Sequence, residues 1–141
     1  MCKEDVKLTR SEMREQAFML LFSKSFDDEP LEATIDDNAE MFKGGVCAYA
    51  QAAVSGIEDK RDEIDEIISS KLKKGWTLRR LSKPSLAILR LAVFEIMYLD
   101  NIPDGVAVNE AVELAKKYTI DESGFINGIL GSVVRDKEGA K

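Results

Sequence analysis

The sequence predicts an all-α fold, and three observations carry that prediction. Helix-forming Ala, Leu, Glu and Lys are plentiful, and apolar residues recur at three- and four-residue spacings along several segments. The alternation of β-branched and aromatic residues that marks half-buried strands is nowhere sustained. With 141 residues, 45% apolar, three prolines and nine glycines, the composition is that of one globular domain with a single sizeable core.

The elements follow in order. Thr9, three residues ahead of Glu12, has the form of a capping box and opens a first helix from Arg10 to about Lys24. Met13, Ala17, Leu20 and Leu21 line its apolar side, and Arg10 and Arg14 extend the edge of that stripe toward the N-terminus. Basic groups at a helix start oppose the macrodipole, so the two arginines are either a solvated face or groups with a task. After a loop at Asp27–Pro30, a second helix is expected from about Asp36 to Ile57, with Phe42, Val46, Tyr49, Ala53 and Ile57 on one side. Gly44-Gly45 in its middle allows either a kink or a close helix contact. A third helix, roughly Asp62 to Lys73, buries Ile64, Ile67, Ile68 and Leu72 and ends at Gly75.

Trp76 to Ser82 forms a bridge or single turn, with Trp76 expected in the core. Pro84 then opens the helix Ser85 to Leu99. That helix has almost no polar face and is expected at the centre of the fold; Arg90 and Glu95, which interrupt it, must be paired or reach an edge. Asn101–Gly105 is a turn, and the next helix runs to about Tyr118 with Glu113 and Lys117 as an i, i+4 pair. Ser123 is the expected cap of a last helix that buries Ile126, Ile129, Leu130 and Val133. Phe125 stands at the edge of that stripe, either plugging the bundle end or facing outward. The charged tail, Arg135 to Lys141, is expected to fray. One domain spans 1–141, in helical layers of about 1–75 and 76–141, because each half alone has too little to bury.

Composition narrows the chemistry. There is no histidine, and Cys2 and Cys47 are too far apart for a CxxC-type site, so neither a metal nor another cofactor is expected. No nucleophile–base pair or carboxylate dyad stands out, which argues against an enzyme. The apolar run Leu86–Leu99 is short and charged, so no membrane span is expected; two unpatterned thiols without a signal peptide suggest the cytoplasm. The net charge of −6 hides a polarised distribution: residues 27–40 hold seven acids and no base, residues 71–90 seven bases and no acid. Solvation and pairing, within the protein or across a dimer, are the expected role of this basic block rather than an RNA site, and Trp76 is expected in the core rather than as a stacking platform.

Several runs together carry a resemblance. They are Arg10-x-x-x-Arg14-Glu15-x-Ala17, Trp76-x-x-x-Arg80-Leu81, Ile88-Leu89-Arg90-Leu91-Ala92-x-Phe94-Glu95, Ile102-Pro103, Val108-Asn109-Glu110-Ala111-Val112-Glu113-Leu114-Ala115-Lys116 and Phe125-Ile126-Asn127-Gly128-Ile129-Leu130. In this order the chain resembles the NusB family of transcription antitermination factors over nearly its whole length. The resemblance implies two packed helical bundles of about six to seven helices and no enzymatic activity. It also implies binding to the boxA element of RNA together with NusE, a small-subunit ribosomal protein, and action with other Nus factors on RNA polymerase, above all on ribosomal RNA operons. By position it puts Arg10, Arg14, Glu122 and Phe125 at the RNA surface and Phe22 and Ser85 at the NusE surface. A competing expectation is a self-associating dimer whose RNA surface is masked.

A ring at a helix start beside a turn suits single-stranded RNA, because an unpaired base can stack on it while arginines hold phosphates. Where many family members begin with a tight arginine cluster, Ser11 and Glu12 stand between Arg10 and Arg14 here, with Glu4 and Asp5 upstream. Fewer phosphate contacts imply weaker and less salt-sensitive binding. A methyltransferase bearing a similar helical module is set aside, since no Gly-rich loop follows a strand and no length is left for a cofactor domain.

Overall fold

A computed structural model describes residues 8–26, 29–42 and 45–139 of the protein, and among these residues there are seven α-helices and two short 3₁₀ turns. Among the described residues there is no strand. Cys2, Glu4, Asp5, Asp27, Asp28, Gly44 and the last two residues of the charged tail lie outside them. The chain forms two compact units, Met1–Asp59 and Lys60–Lys141, so the helix after Asp59 belongs with the second unit rather than with a layer ending near Gly75.

The first unit holds α1 (Arg10–Lys24), α2 (Leu31–Asp37) and α3 (Ala48–Asp59), with α1 packed on both others. The capping box forms as expected: Thr9 Oγ1 accepts the Glu12 N–H at 3.1 Å and the Thr9 N–H donates to Glu12 Oε1 at 2.9 Å. Ala17, Phe18 and Leu20 on α1 are buried with Ala50, Val54 and Ile57 on α3. The expected single helix from Asp36 to Ile57 is not formed. The chain leaves the helix after Asp37, makes a 3₁₀ turn at Ala39–Met41 and resumes at Ala48. Gly45 takes φ +93°, a left-handed conformation that no α-helix tolerates and that costs glycine alone little. The Gln16 side chain then accepts the Cys47 N–H at 2.8 Å, satisfying a donor at the new helix start. Cys47 itself is a buried free thiol.

The second unit holds α4 (Arg61–Ser70), α5 (Lys83–Tyr98), α6 (Asp104–Tyr118) and α7 (Ser123–Gly139), and α5 packs against the other three. Ile88, Leu89, Leu91, Ala92, Val93 and Ile96 of α5 are buried, as its lack of a polar face requires. Each Val, Leu or Ile side chain among them, removed from water, contributes roughly 1.5–3 kcal/mol. Arg90 resolves its placement by pairing: Nε and Nη2 donate to Asp65 Oδ1 and Oδ2 at 2.8 and 2.9 Å. Helix α7 does not fray from Arg135 but continues to Gly139. Lys137 Nζ donates to the Ile96 carbonyl at 2.7 Å and to Asp104 Oδ1 at 2.9 Å, and Asp136 pairs with Lys71, so the tail is tied to α5, α6 and the end of α4. Among the described residues no helix is long and apolar enough to cross a membrane.

Candidate nucleic-acid interface

The chemistry-bearing groups of the second unit converge where the chain leaves α4 and where it enters α7. After α4, Gly75 takes φ +89°, which turns the backbone outward, and the Trp76 N–H donates to the Lys73 carbonyl at 2.9 Å. A 3₁₀ turn at Leu78–Arg80 follows, anchored by the buried Leu81. Its outcome is a tryptophan that is 46% exposed, with the Arg80 guanidinium 5.9 Å from the ring centroid. Trp76 is therefore not the core residue expected.

At the start of α7, Asp121 takes φ +57° and the Glu122 carbonyl accepts the Ile126 N–H at 3.0 Å, so Glu122 rather than Ser123 holds the cap position. The Glu122 carboxylate is anchored from below: Oε1 accepts the hydroxyls of Ser82, at 2.9 Å, and Ser85, at 2.5 Å. Ser82 also caps α5, its Oγ accepting the Ser85 N–H at 3.3 Å. Two helix starts are thus pinned to one carboxylate. Ile126, Ile129 and Leu130 carry the burial of α7, while Phe125 is left 39% exposed. Its ring meets Trp76 at a centroid distance of 6.4 Å and an interplanar angle of 42°. The bundle end is not sealed by Phe125 alone; an aromatic pair stands there, half in solvent.

The other expected site residues fall as follows. Arg10 is exposed in the first turn of α1, and Arg14, one turn on, is only 5% exposed, so the guanidinium open to solvent at this helix start is that of Arg10. Phe22 is half-buried between Phe18, stacked at 5.9 Å, and the exposed Phe26, edge-on at 5.1 Å. Ser85 does not lie on the partner surface expected of it: it is fully buried and its hydroxyl donates to Glu122. Two members of the basic block, Lys71 and Arg90, pair with Asp136 and Asp65 of their own unit and not with the acidic stretch. Trp76 and Arg80 are exposed together on this turn, where the sequence points to a core tryptophan and a solvated or paired basic block.

The fold and site define an all-helical protein with exposed aromatic and cationic groups gathered where the chain leaves α4 and enters α7. The NusB family model matches residues 11–135, and the chain belongs to that family. It is 41% identical over 128 residues to the transcription antitermination protein NusB of Limosilactobacillus reuteri, covering 89% of this chain and 93% of that protein. The NusB of Acetivibrio thermocellus is 44% identical over 131 residues, covering 91% and 90%. Among solved structures, T. maritima NusB has a TM-score of 0.81 at 35% identity, covering 92% of this chain and 93% of that one. A chain from antitermination factors NusB and NusE in complex with double-stranded RNA has a TM-score of 0.79 at 27% identity, covering 90% and 96%.

Proposed function

We infer that this chain is a non-enzymatic transcription antitermination factor. It binds boxA RNA together with NusE and, with the other Nus factors, carries RNA polymerase past terminators on ribosomal RNA operons in the cytoplasm. The observation that carries the reading is Phe125, held half-exposed in the first turn of α7 by a turn that Ser82 and Ser85 fix through Glu122. An aromatic plane on a preorganised helix start stacks an unpaired base at little ordering cost. A chain of the same fold solved with NusE and RNA supports this choice of partners. Arg10, exposed in the first turn of α1, supplies a phosphate contact, whereas Arg14, one turn on, is nearly buried.

NusE is assigned to the first unit's aromatic row, where Phe22 lies beside the exposed Phe26. Aromatic side chains give interfaces large contact area for little lost rotamer freedom. The test is a fluorescence-anisotropy titration of labelled boxA RNA with the purified chain, with and without NusE, alongside a scrambled oligonucleotide. Tighter binding of boxA when NusE is present is the expected result; equal binding of the scrambled RNA would overturn it. Light scattering on the same samples reports whether a self-associated state withholds the surface.

A further inference from the structure

We propose that Trp76 and Arg80 form a second RNA contact beside Phe125, so that the corner takes two successive unpaired bases and the phosphate near them. The inference rests on the RNA-binding reading above and extends it to the basic block that reading leaves without a role. A tryptophan is normally well covered in a folded domain, yet the only one here keeps 46% of its surface in solvent on a turn fixed by Gly75 and two backbone hydrogen bonds, Trp76 N–H to Lys73 and Arg80 N–H to Thr77. The backbone that carries the exposed ring is thus fixed by hydrogen bonds.

Its neighbours define the ligand. Trp76 and Phe125 are tilted by 42°, so they are not a closed stack, and both keep more than a third of their surface exposed. Their 6.4 Å separation is well beyond the ~3.4 Å per nucleotide of a duplex strand. Consecutive bases reach both rings only if the strand is unstacked and extended, as single-stranded RNA can be. Arg80 lies 5.9 Å from the Trp76 centroid, a cation–π arrangement that holds the guanidinium while its N–H donors remain suited to phosphate. Lys73, Lys74 and Arg79 are exposed around it, and no acidic side chain falls between residues 71 and 90. Aromatic rings set among cations fit a polyanion with π-faces better than an apolar protein segment.

Trp76, as the only tryptophan of the chain, is its own reporter. The chain with NusE is titrated with boxA RNA while tryptophan emission and the anisotropy of labelled RNA are followed, the complex of Trp76→Phe supplying the emission background. Stacking predicts saturable quenching of Trp76 with the midpoint of the anisotropy curve. Trp76→Ala is expected to weaken RNA binding about tenfold and Trp76→Phe, which keeps a ring, about threefold or less. Arg80→Gln is expected to lower the slope of log K against log salt by about 0.7. Circular dichroism of each variant confirms that the helices persist, and the wild-type emission needs no variant to fold. If Phe125→Ala weakens binding but Trp76→Ala and the emission do nothing, this inference falls and the RNA reading stands. If neither variant matters, both fall. Loss of NusE binding with RNA affinity intact reassigns the surface to protein and overturns the proposal.

Discussion

Ser85 donates its hydroxyl to Oε1 of Glu122 at 2.5 Å, joining the first turn of α5 to the residue that caps α7 across 37 positions of sequence. The bond is wholly inside the protein on the serine side, and Ser82 makes a second one to the same oxygen at 2.9 Å. Ser85→Ala removes a hydrogen bond to a charged acceptor and is expected to cost about 1.5 kcal/mol in urea denaturation, the low end because Ser82 stays. RNA affinity should fall with it, because the Phe125 turn loosens. NusE affinity should not change.

The Arg90–Asp65 pair makes a stability prediction of its own. Two parallel hydrogen bonds fix a guanidinium whose side chain is only 15% exposed on the central helix. Asp65→Ala leaves that cation partly buried without its carboxylate and is expected to destabilise the protein by about 2 kcal/mol, less than for a fully buried pair. Replacing Arg90 and Asp65 together with apolar residues should cost less than the single change. A double-mutant cycle in urea measures the difference.

Tyr98 gives the pH dependence. Burial first, and then the hydrogen bond to Glu63 at 2.7 Å with the charge of that carboxylate, push its hydroxyl from 10.0 up to about 12. The folded protein holds a proton that the unfolded chain releases. The contribution is therefore complete below about pH 10 and lost as the pH rises through about 12. Ultraviolet absorbance should show one tyrosinate step near pH 12 that Tyr98→Phe abolishes. In Tyr98→Phe the decline of stability over that window should be shallower.

Arg10 is the exposed guanidinium at the start of α1. Arg10→Gln should weaken boxA binding without altering its sequence preference, because a phosphate contact carries no base information. The slope of log K against log salt should drop by about 0.7, one contact to a single strand. Anisotropy titrations at several salt concentrations read both quantities.

Much of the fold was legible because local signals and burial agree. The Thr9–Glu12 box set the start of α1, and the near absence of polar residues from Leu86 to Leu99 marked the central helix. The break between α2 and α3 was not legible, because Gly44-Gly45 is compatible with a kinked helix and only the φ of +93° at Gly45 decides. The ordered end of α7 depends on Lys137 reaching Ile96, 41 residues away, which no local pattern encodes. At the site, the roles of Phe125 and Glu122 follow from the family resemblance, whereas the burial of Ser85 does not, because position in a family motif carries no information about burial. Trp76 is the opposite case: tryptophan is usually well covered, and no local pattern shows that this one keeps 46% of its surface exposed.

The central claim is that the ring at the start of α7 holds an unpaired base. Anisotropy of labelled boxA RNA titrated with the Phe125→Ala chain in the presence of NusE tests it most directly. The expected result is binding weaker by about tenfold, with helical circular dichroism unchanged. Wild-type affinity in that variant, or loss of its helical signal, would contradict the claim: the first removes Phe125 from the RNA surface, and the second makes it a structural plug.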